Sequence, residues 1–340
     1  MGVIEEFVGR AQGQLDDVAQ SSFGAVLDGM GNLAAVMATL TVVMLGVNMI
    51  LQYRPMSAGQ IVVTFIKLIA IDLDDTLLHD DISLSEYTRD TLRKAMQKGV
   101  RIVIATGRMF QAARPWGQAI GLGDVPMICY TGSLTGLCES GRLIRDVRIE
   151  RQTALAILET IREHGWYAQT YIDDEIYVAH RDERTDEYER QCGVKAHEIE
   201  DDFYQPKKAP TKILLCEHDE EKMKEIEKVL RETYSGEVGQ VKSKPYFFEM
   251  NNKECSKGKA VASLAKEWGI AMEEIMTFGN GNNDVSMLSM TPWGFAVANA
   301  SKSAKEAAGH MTLSNNEDGV AKAVEKYVLG ERELEIGNEN

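Results

Sequence analysis

The chain has 340 residues, 44% of them hydrophobic and 26% charged, which is enough apolar material for two domains of ordinary size and too much for a disordered polymer. Its 37 Lys and Arg against 52 Asp and Glu give a net charge of −15, so no positive field exists to gather phosphate backbones, and nucleic acid is excluded as an expected partner. Cys129, Cys138, Cys192, Cys216 and Cys255 form no CxxC pair, and the histidines show no helical ligand spacing. Neither a disulfide framework nor a thiolate zinc site is expected, and a reducing compartment fits best.

Residues 1–66 form a first region, with only Arg10 and Arg54 as cations and Glu5, Glu6, Asp16, Asp17 and Asp28 as anions. Within it, residues 33–51 run without a charge, long enough at ~1.5 Å per residue to cross a hydrocarbon core of about 30 Å. We read this run as a candidate transmembrane helix; the alternative is a buried helix that is apolar all round. Arg54 and Lys67 follow the run, so the positive-inside rule places the C-terminal part in the cytoplasm, possible membrane association resting on 33–51 alone. Around LQYRPMSAGQ the hydrophobic texture resembles inner-membrane components of conjugative type IV secretion systems, a resemblance that carries no catalytic residue.

From Lys67 the pattern alternates. KLIAIDL (67–73) is a short apolar run that reads as a buried parallel strand, followed by a helix over 83–99 with a Ser near its start and Gly at its end. A strand over 100–106, a helix over 109–120 and a strand over 125–131 come next. Such repetition predicts an α/β fold with a doubly wound parallel sheet, whose ligands gather at the carboxyl ends of the strands. Residues 148–248 break the pattern with a helix, paired alternating strands, a charged stretch and a further strand and helix, which predicts an inserted α+β domain. The parallel pattern resumes over 249–329, making 67–147 and 249–329 one core. Residues 330–340 read as an acidic tail.

The chemistry-bearing residues lie at strand exits. Asp72 and Asp74 leave the first strand two apart, and adjacent anions at a sheet edge call for a hard cation such as Mg²⁺. Thr106-Gly107-Arg108 leaves the second strand with a hydroxyl and a small residue able to admit a phosphoryl oxygen. Lys257 and Lys259 open a later helix, either able to neutralise phosphate charge, and FGNGNND (278–284) forms a Gly-rich acidic loop able to complete a metal site.

IDLDDTLL, ATGR, SKG and FGNGNND in this order, with an α+β insertion between the second and third, resemble the haloacid dehalogenase-like hydrolases, specifically the Cof-type sugar-phosphatase branch with a C2 cap. The resemblance spans about 67–329 and implies a Mg²⁺-dependent phosphomonoester hydrolase of small phosphorylated metabolites, sugar phosphates among them. It further implies that Asp72 is the nucleophile that forms an aspartyl-phosphate and Asp74 the general acid and base. Thr106, Gly107, Lys257 and Asn283 would bind phosphate, and Asp72, Asp74, Asn280 and Asp284 would hold the metal. The same pattern prefers Lys257 over Lys259, because the family's lysine stands directly before the Gly. Arg108 either faces the substrate or pairs with a carboxylate.

Two departures stand out. Asn280 replaces the family's usual Asp, which removes one negative charge from the metal loop, and Tyr130-Thr131-Gly132-Ser133 replaces an Asn-Gly-Ala. The first opens an alternative reading as a catalytically weakened ligand-binding or sensor module; a sugar phosphomutase is the alternative among enzymes. In the insertion, Trp166, Tyr171 and Tyr177 are candidates either for contact with a sugar ring or for packing on a strand face.

Overall fold

A computed structural model describes residues 66–330. Residues 1–65 and 331–340, and with them the candidate span 33–51, lie outside the described residues; among those described, no helix is long and apolar enough to cross a membrane.

The core opens with strand β1 (Leu68–Ile71), helix α1 (Glu86–Gln97), β2 (Arg101–Ile104) and α2 (Phe110–Ile120). Ser85 caps α1, its hydroxyl accepting from Thr88 N at 2.9 Å. Met109 precedes α2 and offers no side-chain cap of its own. A meander of β3 (Pro126–Cys129), β4 (Leu134–Leu137) and β5 (Leu143–Asp146) follows.

The insertion supplies α3 (Arg151–His164), β6 (Ala168–Ile172), β7 (Glu175–Val178), α4 (Glu183–Cys192), β8 (Ala196–Glu198), β9 (Lys212–Cys216), α5 (Glu220–Thr233), β10 (Val238–Lys244) and β11 (Phe247–Asn252). The chain then returns to the core through α6 (Lys257–Glu267), β12 (Ile275–Gly279), α7 (Val285–Leu288), β13 (Trp293–Ala296), α8 (Lys302–Ala307), β14 (His310–Met311) and α9 (Gly319–Val324).

The core sheet has the order β14-β13-β12-β1-β2, all parallel, and β3 joins beyond β2 through a parallel bridge between Ala105 and Ile128. Alternation along β1 sends Ile69 and Ile71 to one side, with Leu92 of α1 and Val320 of α9, and Leu68 and Ala70 to the other, with Val261 and Leu264 of α6. Both faces are therefore covered. Each fully buried Ile or Leu contributes roughly 1.5–3 kcal/mol relative to exposure.

The second sheet has the order β10-β11-β9-β6-β7-β8. Along β9, Ile213 and Leu215 pack with α3 and α5, whereas Leu214 and Cys216 join the apolar cluster that includes Ile71 and Tyr130 of the core. That continuous cluster seats the inserted sheet over the core. Lys212 shares the core-facing side of β9, two residues before Leu214.

The strand expected over 125–131 ends at Cys129, because Tyr130, Thr131 and Gly132 take φ of 50°, 56° and 103°. A Cβ on Gly132 would lie 2.4 Å from the carbonyl oxygen of Ser256, so this turn requires glycine both by conformation and by close approach. The charged stretch of the insertion contains α4, whose start is fixed by a reciprocal cap between Asp182 and Thr185.

Candidate active site

Asp72 stands immediately after β1, its amide donating to Phe278 O of β12 at 3.0 Å. The chain then turns through Asp74 and Asp75, the latter at φ 54°, bringing Asp74 back over the strand ends. Lys257, the first residue of α6, is fully buried and donates to Asp72 Oδ1 and Asp284 Oδ1, both at 2.6 Å. The placement depends on Gly258: a Cβ there would meet Ser286 O at 2.2 Å, so only glycine lets α6 approach the loop after β12 this closely. Lys259 points away, pairing with Glu254 at the surface at 3.2 Å.

Asp284 has both carboxylate oxygens engaged. Oδ1 accepts from Lys257, and Oδ2 accepts from the amides of Asn280 at 2.9 Å and Gly281 at 2.8 Å, so this side chain ties the Gly-rich loop to the lysine. Asn280 Oδ1 accepts from Thr76 Oγ1 at 3.2 Å. Thr106 is buried just after β2, its hydroxyl accepting from Arg108 N at 3.1 Å. The Arg108 guanidinium is bidentate on Asp74, with Nε 2.8 Å from Oδ2 and Nη2 2.5 Å from Oδ1. Arg108 thus pairs with a carboxylate, and does so while lining the same cavity as Asp72 and Asp74.

The electrostatics separate the two aspartates. Burial, then the Asp284 charge, push the Asp72 carboxyl up to about 8 even though Lys257 pulls it down. Burial also acts upward on Asp74, but the hydrogen bonds and charge of Arg108 outweigh it and hold Asp74 below the ordinary carboxylate range. Lys257, flanked by two carboxylates, is raised above the ordinary lysine range despite burial.

These groups border a cavity of about 410 Å³ between the core and the inserted sheet. Asp72, Asp74, Gly107, Arg108, Asn280 and Asn283 form its core wall; Thr106, Lys257 and Asp284 stand behind that wall. The opposite wall holds Tyr188, Lys212, Lys244, Phe247 and Glu249, none of which the motifs singled out. Lys212 is buried, 3.4 Å from Glu249, with its ammonium 4.6 Å from the centre of the Tyr171 ring. A lysine at an inward position of the apolar run KILLC is the signal that would have marked it. Trp166, Tyr171 and Tyr177 do not line this cavity; Tyr171 packs in the cluster shared with the core, and the other two pack against the α3–α5 side.

Among the described residues, no three His, Cys, Asp or Glu side chains converge as a metal cage. Asp284, expected among the metal ligands, has both oxygens engaged behind the wall, which leaves Asp72, Asp74 and the amide of Asn280 as the expected hard oxygen donors at the cavity wall. Such donors, completed by backbone carbonyl and water, fit Mg²⁺, which ordinarily takes one or two carboxylates and keeps several waters.

A family model for haloacid dehalogenase-like hydrolases matches residues 69–324. The Bacillus subtilis protein YxeH, named as a phosphatase, is 32% identical over 276 residues, covering 77% of this chain and 98% of its own. YcsE of the same organism, a 5-amino-6-(5-phospho-D-ribitylamino)uracil phosphatase, is 29% identical over 268 residues, covering 78% of this chain and 96% of its own. The crystal structure of TM0651 from Thermotoga maritima superposes with a TM-score of 0.68 at 30% identity, covering 76% of this chain and 97% of the other. Segment 1–65 falls outside the match, and its resemblance to secretion components gains nothing from it. With the strand-end aspartates on the wall of one cavity and the buried lysine and the loop carboxylate that holds it directly behind, the chain belongs to the haloacid dehalogenase-like hydrolases.

Proposed function

We propose that the chain is a phosphatase that hydrolyses phosphate monoesters of small, hydroxyl-rich metabolites through a phosphorylated Asp72. The observation that carries this reading is the Asp72–Lys257–Asp284 chain, which runs from the cavity wall into the buried layer behind it with 2.6 Å contacts on both sides of the lysine. A nucleophilic carboxylate needs a fixed direction and a nearby positive charge for the equatorial oxygens of the phosphoryl group, and buried Lys257 supplies both.

Asp72 attacks phosphorus, the bond to the leaving oxygen breaks, and Asp74 delivers a proton to that oxygen. Water then attacks phosphorus, Asp74 takes its proton, and Asp72 is released as a carboxylate. The bidentate contact with Arg108 favours ionised Asp74, so the acid step requires Arg108 to leave Asp74. An entering phosphoryl dianion offers the guanidinium an equivalent partner. Asp72, Asn280 and the backbone carbonyl of Asp74 would hold Mg²⁺, which when bound adds positive charge beside the phosphoryl oxygens and favours the ionised form of Asp72. Thr106 and the Gly107 backbone, with Asn283 opposite, would receive the remaining oxygens.

Support for the substrate class comes from the opposite wall, where the donor Lys212 and acceptor Glu249 stand side by side, a pairing suited to hydroxyls, and from the ribityl phosphate ester in the name of YcsE. Inorganic phosphate release from a panel of sugar and polyol phosphates, titrated with Mg²⁺, tests the reading. Turnover by the unaltered chain that Asp72→Asn lowers by at least about 10³-fold supports it. An inert chain at saturating Mg²⁺, made active by Asn280→Asp, would instead identify a binding module on a hydrolase fold.

A further inference from the structure

The two residues at the tip of the β6–β7 hairpin, Asp173 and Asp174, both take left-handed backbone conformations, with φ of 55° and 63°. A two-residue hairpin loop of this kind favours Asn-Gly or Asp-Gly, so an aspartate at the second position carries backbone strain that a glycine would relieve. The side chain shows what is gained. Asp174 is 4% exposed, and its carboxylate leaves the inserted sheet to accept from Phe110 N and Gln111 N, both at 2.9 Å, at the start of core helix α2. This is the helix whose own preceding residue, Met109, has no cap to give.

The same carboxylate accepts from Tyr130 Oη at 2.8 Å. Tyr130 N donates to Arg108 O and Thr131 N to Thr106 O, both at 3.0 Å. Two short paths thus lead from Asp174 to the Thr106–Arg108 turn, one through Phe110 and one through Tyr130. Asp173 bonds Lys208 at 2.6 Å and also Arg148, which joins the chain segment leading into the insertion. Burial pushes Asp174 up to about 6 against three donated hydrogen bonds, so its charge is held at this junction at a cost.

We infer that Asp174 is a positioning residue: it seats the inserted cap on the core by capping α2 from outside, and through α2 and Tyr130 it holds the Thr106–Arg108 turn in the geometry that receives phosphate. The phosphate part of this inference rests on the phosphatase reading; the mechanical part does not.

Amide hydrogen exchange over 106–111 in the full chain, for the unaltered protein, Asp174→Ala, Asp174→Asn and Tyr130→Phe, tests the mechanical part. Asp174→Ala is expected to accelerate exchange at least about tenfold across the whole segment, Asp174→Asn by less because one acceptor oxygen remains, and Tyr130→Phe by about threefold. Acceleration confined to Phe110 and Gln111, or none, overturns the inference, since a local cap would do no more than that. Tyr130→Phe, which removes only a hydroxyl, decides the matter if Asp174→Ala fails to fold. In parallel, KM for a hydrolysed phosphate ester is expected to rise about tenfold in Asp174→Ala with Asp174→Asn between the two; an unchanged KM contradicts the link to phosphate. A parent chain without turnover would sink the phosphatase reading while exchange still decided whether Asp174 holds the turn.

Discussion

Lys257 shows how one buried charge organises the site. It is fully enclosed and, among the described residues, the only cation in an ion pair with both carboxylates. Removing one partner of such a buried network leaves the others uncompensated, at about 3–5 kcal/mol. Lys257→Met is therefore expected to lose activity and to lower the thermal unfolding midpoint markedly, while Lys259→Met, at a surface pair with Glu254, leaves both near their original values. Asn280 is the complementary case. Its amide oxygen can face a cation but carries no charge, so Asn280→Asp is expected to lower the Mg²⁺ concentration for half-maximal activity by about tenfold, the effect of roughly 1.4 kcal/mol of added attraction. A Mg²⁺ titration of both proteins at constant ionic strength reads this directly.

At the scale of elements, the parts that were legible in the sequence were those whose local signal agrees with their tertiary role. KLIAIDL reads as a strand because both of its faces are buried, and Ser85 marks the start of α1 because its hydroxyl caps the helix. Asp72, Lys257 and Asp284 were legible through spacing and motif order, and the fold then brings them within hydrogen-bond reach. Helix α4 was not legible: ERTDEYERQC has almost no apolar stripe, with Tyr188 and Cys192 packed against the core cluster and Gln191 beside them at the cavity. Strand β3 was legible within 125–131, whereas β4, β5 and two-residue β14 gave too short a pattern to read. Asp174 was hidden for another reason, since its role depends on a contact with Phe110 and Gln111 that no local periodicity encodes.

Two element-scale outcomes follow from the contacts. Gly258→Ala places a methyl group against the Ser286 carbonyl, so α6 must shift and Lys257 with it; a loss of about 1–3 kcal/mol of stability is expected, together with reduced turnover. Glu189 of α4 accepts from Arg181, Lys195 and Ala196 N, and the Arg181 hydrogen bond, foremost, draws its carboxyl down to about 2. Because the folded value lies below the ordinary 4.5, this contribution is complete above pH 4.5 and disappears as pH falls toward 2. Glu189→Gln is accordingly expected to flatten the acid limb of unfolding monitored between those values.

For the molecule as a whole, the inserted sheet is the second wall of the cavity. One apolar cluster runs from Ile71 through Tyr130 to Tyr171, Leu214 and Phe247, so that among the described residues the cavity is bordered by core and insertion alike. On the phosphatase reading, the opposite wall stands where it would meet the leaving group. Lys212→Met is expected to raise KM for polyol phosphates at least about fivefold and to alter KM for p-nitrophenyl phosphate little, since that ester offers no hydroxyl to the Lys212–Glu249 pair.

The most direct measurement is a chemical trap of Asp72 during turnover. Acid quenching in the steady state followed by borohydride reduction converts a phosphorylated aspartate to homoserine, which mass spectrometry locates in the peptide containing residues 68–77. The account predicts homoserine at position 72, dependent on substrate and abolished by Asp72→Asn. Turnover with no reduction at Asp72, or with Asp72→Asn still active within tenfold of the parent, would contradict it.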